Sequence, residues 1–138
     1  IRSLAYLLSK FEKIRCIFVA PPSLQIGKDI LEHLEEHKIS YEITDNLHSA
    51  LPAADVVYWT RIQRERMSDT EKNIGSMLIT EREMKLLKPE SILMHPLPRV
   101  DEIRPEVDKD PRAVYFAQAG NGVPLRMALF LEMFGVKL

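Results

Sequence analysis

A single cysteine, Cys16, occurs in the 138 residues, so no internal disulfide can staple the fold and stability must come from burial. It lies in the apolar, strand-like run Arg15-Cys16-Ile17-Phe18-Val19, the setting of a packed structural thiol rather than a reactive one. An excess of charge is also lacking: 19 basic and 20 acidic residues leave a net charge of -1. Without a net field to draw the chain to nucleic acid or an anionic membrane, neither is expected as a partner, and any anion site must be local. No apolar stretch approaches the roughly 20 residues that cross a bilayer, and no basic segment followed by an apolar core opens the chain. The expected location is therefore cytoplasmic. Internal repeats, low-complexity tracts and linker-like shifts in composition are missing too, so residues 1–138 are expected to form one domain. The chain starts at Ile1-Arg2-Ser3, with helical periodicity almost at once and no initiator methionine, and is expected to be cut from something longer.

What is present, 46% hydrophobic and 28% charged residues, suits a soluble globular domain. Leu4, Leu7, Leu8 and Phe11 recur at helical spacing over residues 3–11. Residues 14–20 are almost continuously apolar, as in a strand buried on both faces, and Pro21-Pro22-Ser23 ends it. A second helix is predicted over residues 25–37 from the stripe Ile26, Ile30, Leu31 and Leu34. A short strand over 41–43, a weak helix over 47–50 and a buried strand over 55–60 follow. Thr80-Glu81-Arg82-Glu83 has the form of a capping box and starts a helix that runs to about Leu87. Ser91-Ile92-Leu93-Met94 is a further strand. Residues 101–108 read as irregular or briefly helical, 113–116 as a short strand or a helix start, and 124–134 as a docking helix. Strands alternating with helices predict an α/β fold, a Rossmann-like three-layer sandwich with a mostly parallel sheet and helices on both faces.

In open parallel sheets, ligands bind beyond the carboxyl ends of the strands, where loops and free backbone groups converge. That rule selects three loops on one rim: Pro21-Pro22-Ser23, Arg61-Ile62-Gln63-Arg64-Glu65-Arg66, and His95-Pro96-Leu97-Pro98-Arg99. Arg61 and Gln63, two apart, point to the same side of an extended segment. A guanidinium fork and an amide together suit a small anion that also carries an amine or carbonyl. In the third loop the alternating prolines remove N–H groups, leaving the carbonyls of Pro96 and Leu97 fewer local partners and free to face an amino group. Either X-Pro bond can be cis. The structural alternatives are a solvated charged segment and a rigid strand-ending turn, with His95 packed and Arg99 at the surface. His33 and His37 share a helical face, but no third ligand is read beside them, and no metal site is expected. Gln118-Ala119-Gly120-Asn121-Gly122 lacks the Lys-Ser/Thr ending of a phosphate loop.

Taken in order, the motifs resemble the aspartate carbamoyltransferase family, specifically its C-terminal aspartate-binding domain. They are Ser3-Leu4, Ala20-Pro21, Tyr58-Trp59-Thr60-Arg61-Ile62-Gln63-Arg64-Glu65-Arg66, His95-Pro96-Leu97-Pro98-Arg99-Val100-Asp101-Glu102-Ile103, Asp108-Lys109-Asp110-Pro111-Arg112-Ala113, and Tyr115-Phe116-Ala117-Gln118-Ala119-Gly120-Asn121-Gly122. The resemblance covers essentially the whole chain. It implies transfer of the carbamoyl group of carbamoyl phosphate to L-aspartate, giving N-carbamoyl-L-aspartate and phosphate in de novo pyrimidine biosynthesis, without metal or organic cofactor. It implies that Arg61 binds a substrate carboxylate, that Gln63 helps hold aspartate, and that the carbonyls of Pro96 and Leu97 meet the amino groups of the reactants. His95, Pro98 and Arg99 support them, the Leu97-Pro98 bond is cis, and the segment after Arg66 belongs to a lid.

By the same resemblance, the partners are an N-terminal carbamoyl phosphate domain, absent from this chain, and further copies in a homotrimer, with or without regulatory chains. Arg2 stands where the family has His, and the arginine for the second carboxylate of aspartate would precede Ile1. The chain by itself is accordingly expected to be inactive, and the full-length oligomer active. Two other readings compete: ornithine carbamoyltransferase, which usually carries His-Cys-Leu-Pro at the third loop, and a non-catalytic small-anion-binding module on the same scaffold.

Overall fold

The computed structural model describes residues 1–61 and 77–136. The chain divides into two compact units, Ile1–Ala54 and Asp55–Leu138.

In the first unit the order is α1 (Arg2–Leu8), β1 (Arg15–Val19), α2 (Lys28–Glu36), β2 (Ser40–Thr44) and α3 (Leu47–Ala50). β1 and β2 pair in parallel, from Arg15 opposite Ser40 to Val19 opposite Thr44. The core joins Ala5 of α1 to Ile30 and Leu34 of α2 and to Ile39, with Ile14, Cys16 and Phe18 packed on it. The last three are two apart, so one face of β1 and of the residue that leads into it supplies all of them. β1 itself is half-buried, with Arg15 exposed, rather than enclosed on both sides as its apolar run predicts. α2 starts at Lys28, three residues later than its periodicity suggests, because Gln25 is otherwise engaged. Its Nε2 donates to the carbonyl of Ala20 and, at 3.0 Å, to that of Thr44, tying together the carboxyl ends of β1 and β2. Arg2 forks onto the carboxylate of Asp29, joining α1 to the first turn of α2.

The second unit contains β3 (Val56–Tyr58), α4 (Glu81–Met84), β4 (Ile92–Met94) and α5 (Tyr115–Met133). β3 and β4 are parallel, with Val56, Val57 and Tyr58 opposite Ile92, Leu93 and Met94. On the other side of β4, Leu93 bridges Ala113: its N–H donates to the Arg112 carbonyl at 2.7 Å and its carbonyl accepts from Val114 N–H at 3.0 Å. Leu93 is wholly buried, among a core that includes Val57, Ile79, Met84, Ile103, Val107 and Tyr115. The capping box forms as predicted, Thr80 N–H donating to Glu83 Oε2 at 3.1 Å and Arg82 N–H to Thr80 Oγ1 at 3.0 Å. Its α-helix ends at Met84, short of Leu87. The stretch read as irregular or briefly helical over 101–108 carries most of a 3-10 helix, Pro105–Lys109. Arg112 closes this end by donating to both Asp110 carboxylate oxygens and to the Leu87 and Lys88 carbonyls.

The final helix differs most from its expectation. It begins at Tyr115 and runs for 19 residues through Pro124, which removes one internal hydrogen bond without ending the helix. Only Tyr115 is buried; Leu125 is 72% and Phe134 77% exposed, and Val123, Met127, Leu129, Phe130 and Met133 are exposed as well. Among the described residues of its unit, the helix is therefore left exposed beyond its first turns. Helices alternating with parallel strands make both units α/β, as expected of a Rossmann-like fold. Among the described residues no helix is long and apolar enough to cross a membrane.

Candidate active site

The carboxyl edge of the β3–β4 pair is set by one hydrogen bond past the last paired residues: Trp59 N–H donates to the Met94 carbonyl at 2.9 Å. Two parallel strands in register must release their next residues at the same edge. Thr60 and Arg61 leave there from one strand and His95 to Arg99 from the other. Arg61 is exposed at this edge. Gln63 and the residues 64–66 lie outside the described residues. Pro21-Pro22-Ser23, the remaining predicted loop, follows β1 in the first unit, where Pro22–Leu24 forms a 3-10 turn.

The second loop is held by its first residue. His95 is 2% exposed, and its backbone N–H donates to Gln118 Oε1 on α5 at 3.0 Å. Its Nδ1 accepts the N–H of Leu97 at 2.9 Å. An N–H can only donate, so Nδ1 carries the lone pair and the ring proton belongs on Nε2. Nε2 lies 2.9 Å from Glu102 Oε1, a charge contact too bent to count as a good hydrogen bond. Burial lowers the His95 pKa, outweighing the opposing pull of the Glu102 charge, which favours the neutral imidazole that this pattern requires.

Glu102 is 6% exposed. Burial alone would raise its pKa, but backbone N–H groups, with the nearby His95, hold it below the usual value. Val100 and Asp101 N–H both donate to its Oε2 at 3.1 Å. A carboxylate cradled by backbone donors stays ionised even when enclosed.

These contacts enforce an unusual backbone. Leu97 has φ +47° and the Leu97-Pro98 bond is cis, the isomer expected at that position. A positive φ on a branched side chain persists only where surrounding bonds over-determine it; here the His95 Nδ1 contact does so. With the Leu97 N–H spent on His95 and no N–H on either proline, this stretch presents carbonyl oxygens rather than donors. Pro96 and Pro98 are exposed and Leu97 is half-buried, so the loop meets solvent at the same edge as Arg61.

Arg99 closes the loop from beneath. Its guanidinium forks onto Asp108, with Nη2 2.6 Å from Oδ2, and donates to the Tyr115 hydroxyl at 2.9 Å. Tyr115 in turn donates to Asp108. The Asp108 pKa is lowered chiefly by the Arg99 bond, and that of Tyr115 is pushed up to about 12, first by burial and then by Asp108. Arg99 is thus a strut between the loop, the 3-10 helix and α5, not the surface charge of the structural alternative. Glu102, Gln118, Asp108 and Tyr115 had no assigned role in the sequence, although all lie within the quoted motifs; the contacts that link them to His95 and Arg99 span several residues to more than twenty.

Residues 1–133 match the family described as Aspartate/ornithine carbamoyltransferase, Asp/Orn binding domain. The aspartate carbamoyltransferase catalytic subunit of Vibrio vulnificus is 44% identical over 131 residues, covering 94% of this chain and 42% of that protein. The catalytic subunit of M. jannaschii aspartate transcarbamoylase superposes with a TM-score of 0.88 at 40% identity, over 99% of this chain and 46% of that one. The Trypanosoma cruzi aspartate transcarbamoylase in complex with N-(phosphonacetyl)-L-aspartic acid superposes with a TM-score of 0.84 at 36% identity, over 94% and 43%. The chain spans less than half the length of each of these relatives. It belongs to the aspartate/ornithine carbamoyltransferase family, as an Asp/Orn-binding domain.

Proposed function

We propose that residues 1–138 are the aspartate-binding domain of an aspartate carbamoyltransferase. The observation that carries this reading is the Trp59–Met94 hydrogen bond, by which an exposed arginine and a donor-poor loop leave one strand edge. In the proposed reaction the amine nitrogen of L-aspartate attacks the carbamoyl carbon of carbamoyl phosphate. The bond from that carbon to the phosphate oxygen breaks, phosphate departs, the amine gives up a proton, and N-carbamoyl-L-aspartate results, as in pyrimidine synthesis. Arg61 grips a carboxylate of aspartate, Gln63 assists, and the carbonyls of Pro96 and Leu97 accept from the amino groups. His95, Pro98 and Arg99 hold those carbonyls in place. No enzyme nucleophile takes part; catalysis rests on positioning and on charges fixed in advance.

The remaining parts of the site come from elsewhere in a longer protein: an N-terminal carbamoyl phosphate domain, and neighbouring chains in a homotrimer, with or without regulatory chains. The uncovered apolar residues of α5 support that reading, since a helix apolar on several sides belongs in the interior of a larger assembly. On this view the 138-residue chain alone is inactive. A lone thiol with no disulfide partner fits a cytoplasmic enzyme.

The test is steady-state kinetics of the full-length protein with carbamoyl phosphate and either aspartate or ornithine, beside Arg61→Ala. Turnover with aspartate alone is expected, and Arg61→Ala should cost roughly 2–5 kcal/mol in kcat/KM, as for a desolvated charge pair. Ornithine turnover would select the sister activity, and turnover of neither a binding module. An unchanged kcat/KM in Arg61→Ala would remove that residue from the site.

A further inference from the structure

The last turn of α2 carries a group of side chains that the reaction does not use. His33, Glu36 and His37 each offer one ligand atom, and the three atoms lie within 4.8 Å of one another. We propose that these residues bind a divalent transition-metal ion, with Zn²⁺ the best match. The two histidines share a helical face, four residues apart; what completes the set is Glu36, three residues beyond His33 on the same turn.

The hydrogen bonding around the imidazoles prepares both of them as ligands. His37 Nδ1 lies 2.8 Å from the His33 carbonyl. A carbonyl only accepts, so Nδ1 carries the proton and Nε2 presents its lone pair. His33 Nε2 lies 2.8 Å from Ser9 Oγ, which itself donates to the Tyr6 carbonyl at 2.9 Å. The Ser9 hydroxyl proton is thereby used, so Nε2 of His33 donates and Nδ1 is left with the lone pair. Metal-bound histidines generally have the other nitrogen engaged in this way, which fixes tautomer and ring orientation. The His33 ring is further set edge-on against Tyr6, centroids 4.4 Å apart, and the two imidazoles stand 4.1 Å apart.

Magnitudes fit as well. Tetrahedral zinc at its usual bond lengths sets ligand atoms about 3.4 Å apart, so the group must close by about 1.4 Å at most. Glu36 is exposed and can supply that by side-chain rotation. The ion would sit at the carbonyl end of the α2 dipole, which favours a cation. Two imidazoles and one carboxylate suit zinc, copper or nickel rather than calcium or magnesium, which prefer oxygen-only sets. A fourth position stays open to water. Through Ser9, the bound ion would tie the end of α2 to α1.

Calorimetric titration of the metal-free full-length protein with Zn²⁺, paralleled by the visible absorption of Co²⁺, tests the proposal. Wild type is expected to bind one more ion than His37→Ala, or to bind it at least tenfold more tightly, and His37→Gln should behave like His37→Ala. Glu36→Gln should weaken binding several-fold, and Ser9→Ala about tenfold through the loosened His33 ring. Circular dichroism of each variant separates loss of ligand from loss of fold. Zinc binding unchanged in both His37 variants, or weakened equally by the control His48→Ala, would overturn the site.

Discussion

His95 and Glu102 form the hinge of the candidate site at the level of single residues. The ring spends one nitrogen on the Leu97 N–H and turns the other to a carboxylate that two backbone donors already hold. Glu102→Ala would leave two backbone N–H groups without their acceptor and remove the carboxylate that faces the buried imidazole. Such a loss should cost about 3–5 kcal/mol of stability, read as a lower urea midpoint with an unchanged slope.

The pH dependence follows from the same pair. Both groups have folded pKa values held below their ordinary ones, 6.5 for His95 and 4.5 for Glu102. Below each of those values the unfolded chain binds more protons than the folded one, so stability falls as pH falls. Equilibrium unfolding at a series of pH values should show stability declining below about 6.5 and more steeply below about 4.5. His95→Gln should flatten the first decline.

Among the elements, α4 shows local chemistry at its clearest and α5 shows where local chemistry stops. Four residues of helix are too few to persist on their own, yet Thr80 and Glu83 satisfy the exposed N–H groups and Met84 is buried. Thr80→Ala should cost about 1 kcal/mol, measured by chemical denaturation, since one cap is lost while the buried contacts remain. In α5 the first turns are bound by Tyr115 to Asp108 and by Gln118 to the His95 N–H, and the rest offers apolar side chains to solvent. The apolar spacing that predicts a docking helix over 124–134 is real, but the described residues of its unit leave that apolar surface exposed.

At the scale of the whole molecule, that helix should behave differently in the chain alone and in the proposed longer protein. Exposed apolar area of this kind promotes self-association. Replacing Met127 and Phe130 with lysine should make the 138-residue chain more monomeric in sedimentation. The same change in the full-length protein should lower its melting temperature by several degrees, because a buried interface would then contain two charges. Equal effects on both proteins would contradict an α5 covered by another domain.

The amino-acid sequence by itself determined the α/β alternation, the capping box at Thr80, and the two motifs that flank the candidate site. These are readable because periodicity, caps and proline act over a few neighbouring residues. It also pointed to Arg61 and to the loop from His95 to Arg99, whose residue types are unusual at the end of a strand. Only the tertiary structure decided that Trp59 meets Met94 and so brings Arg61 and His95 to one edge. The same holds for Glu102 holding His95, Arg99 being a strut rather than a surface charge, and Gln25 binding two strands instead of starting a helix. Each depends on backbone and side-chain partners whose pairing is set by how strands register and pack, and strand register is a property of the whole fold rather than of any local window.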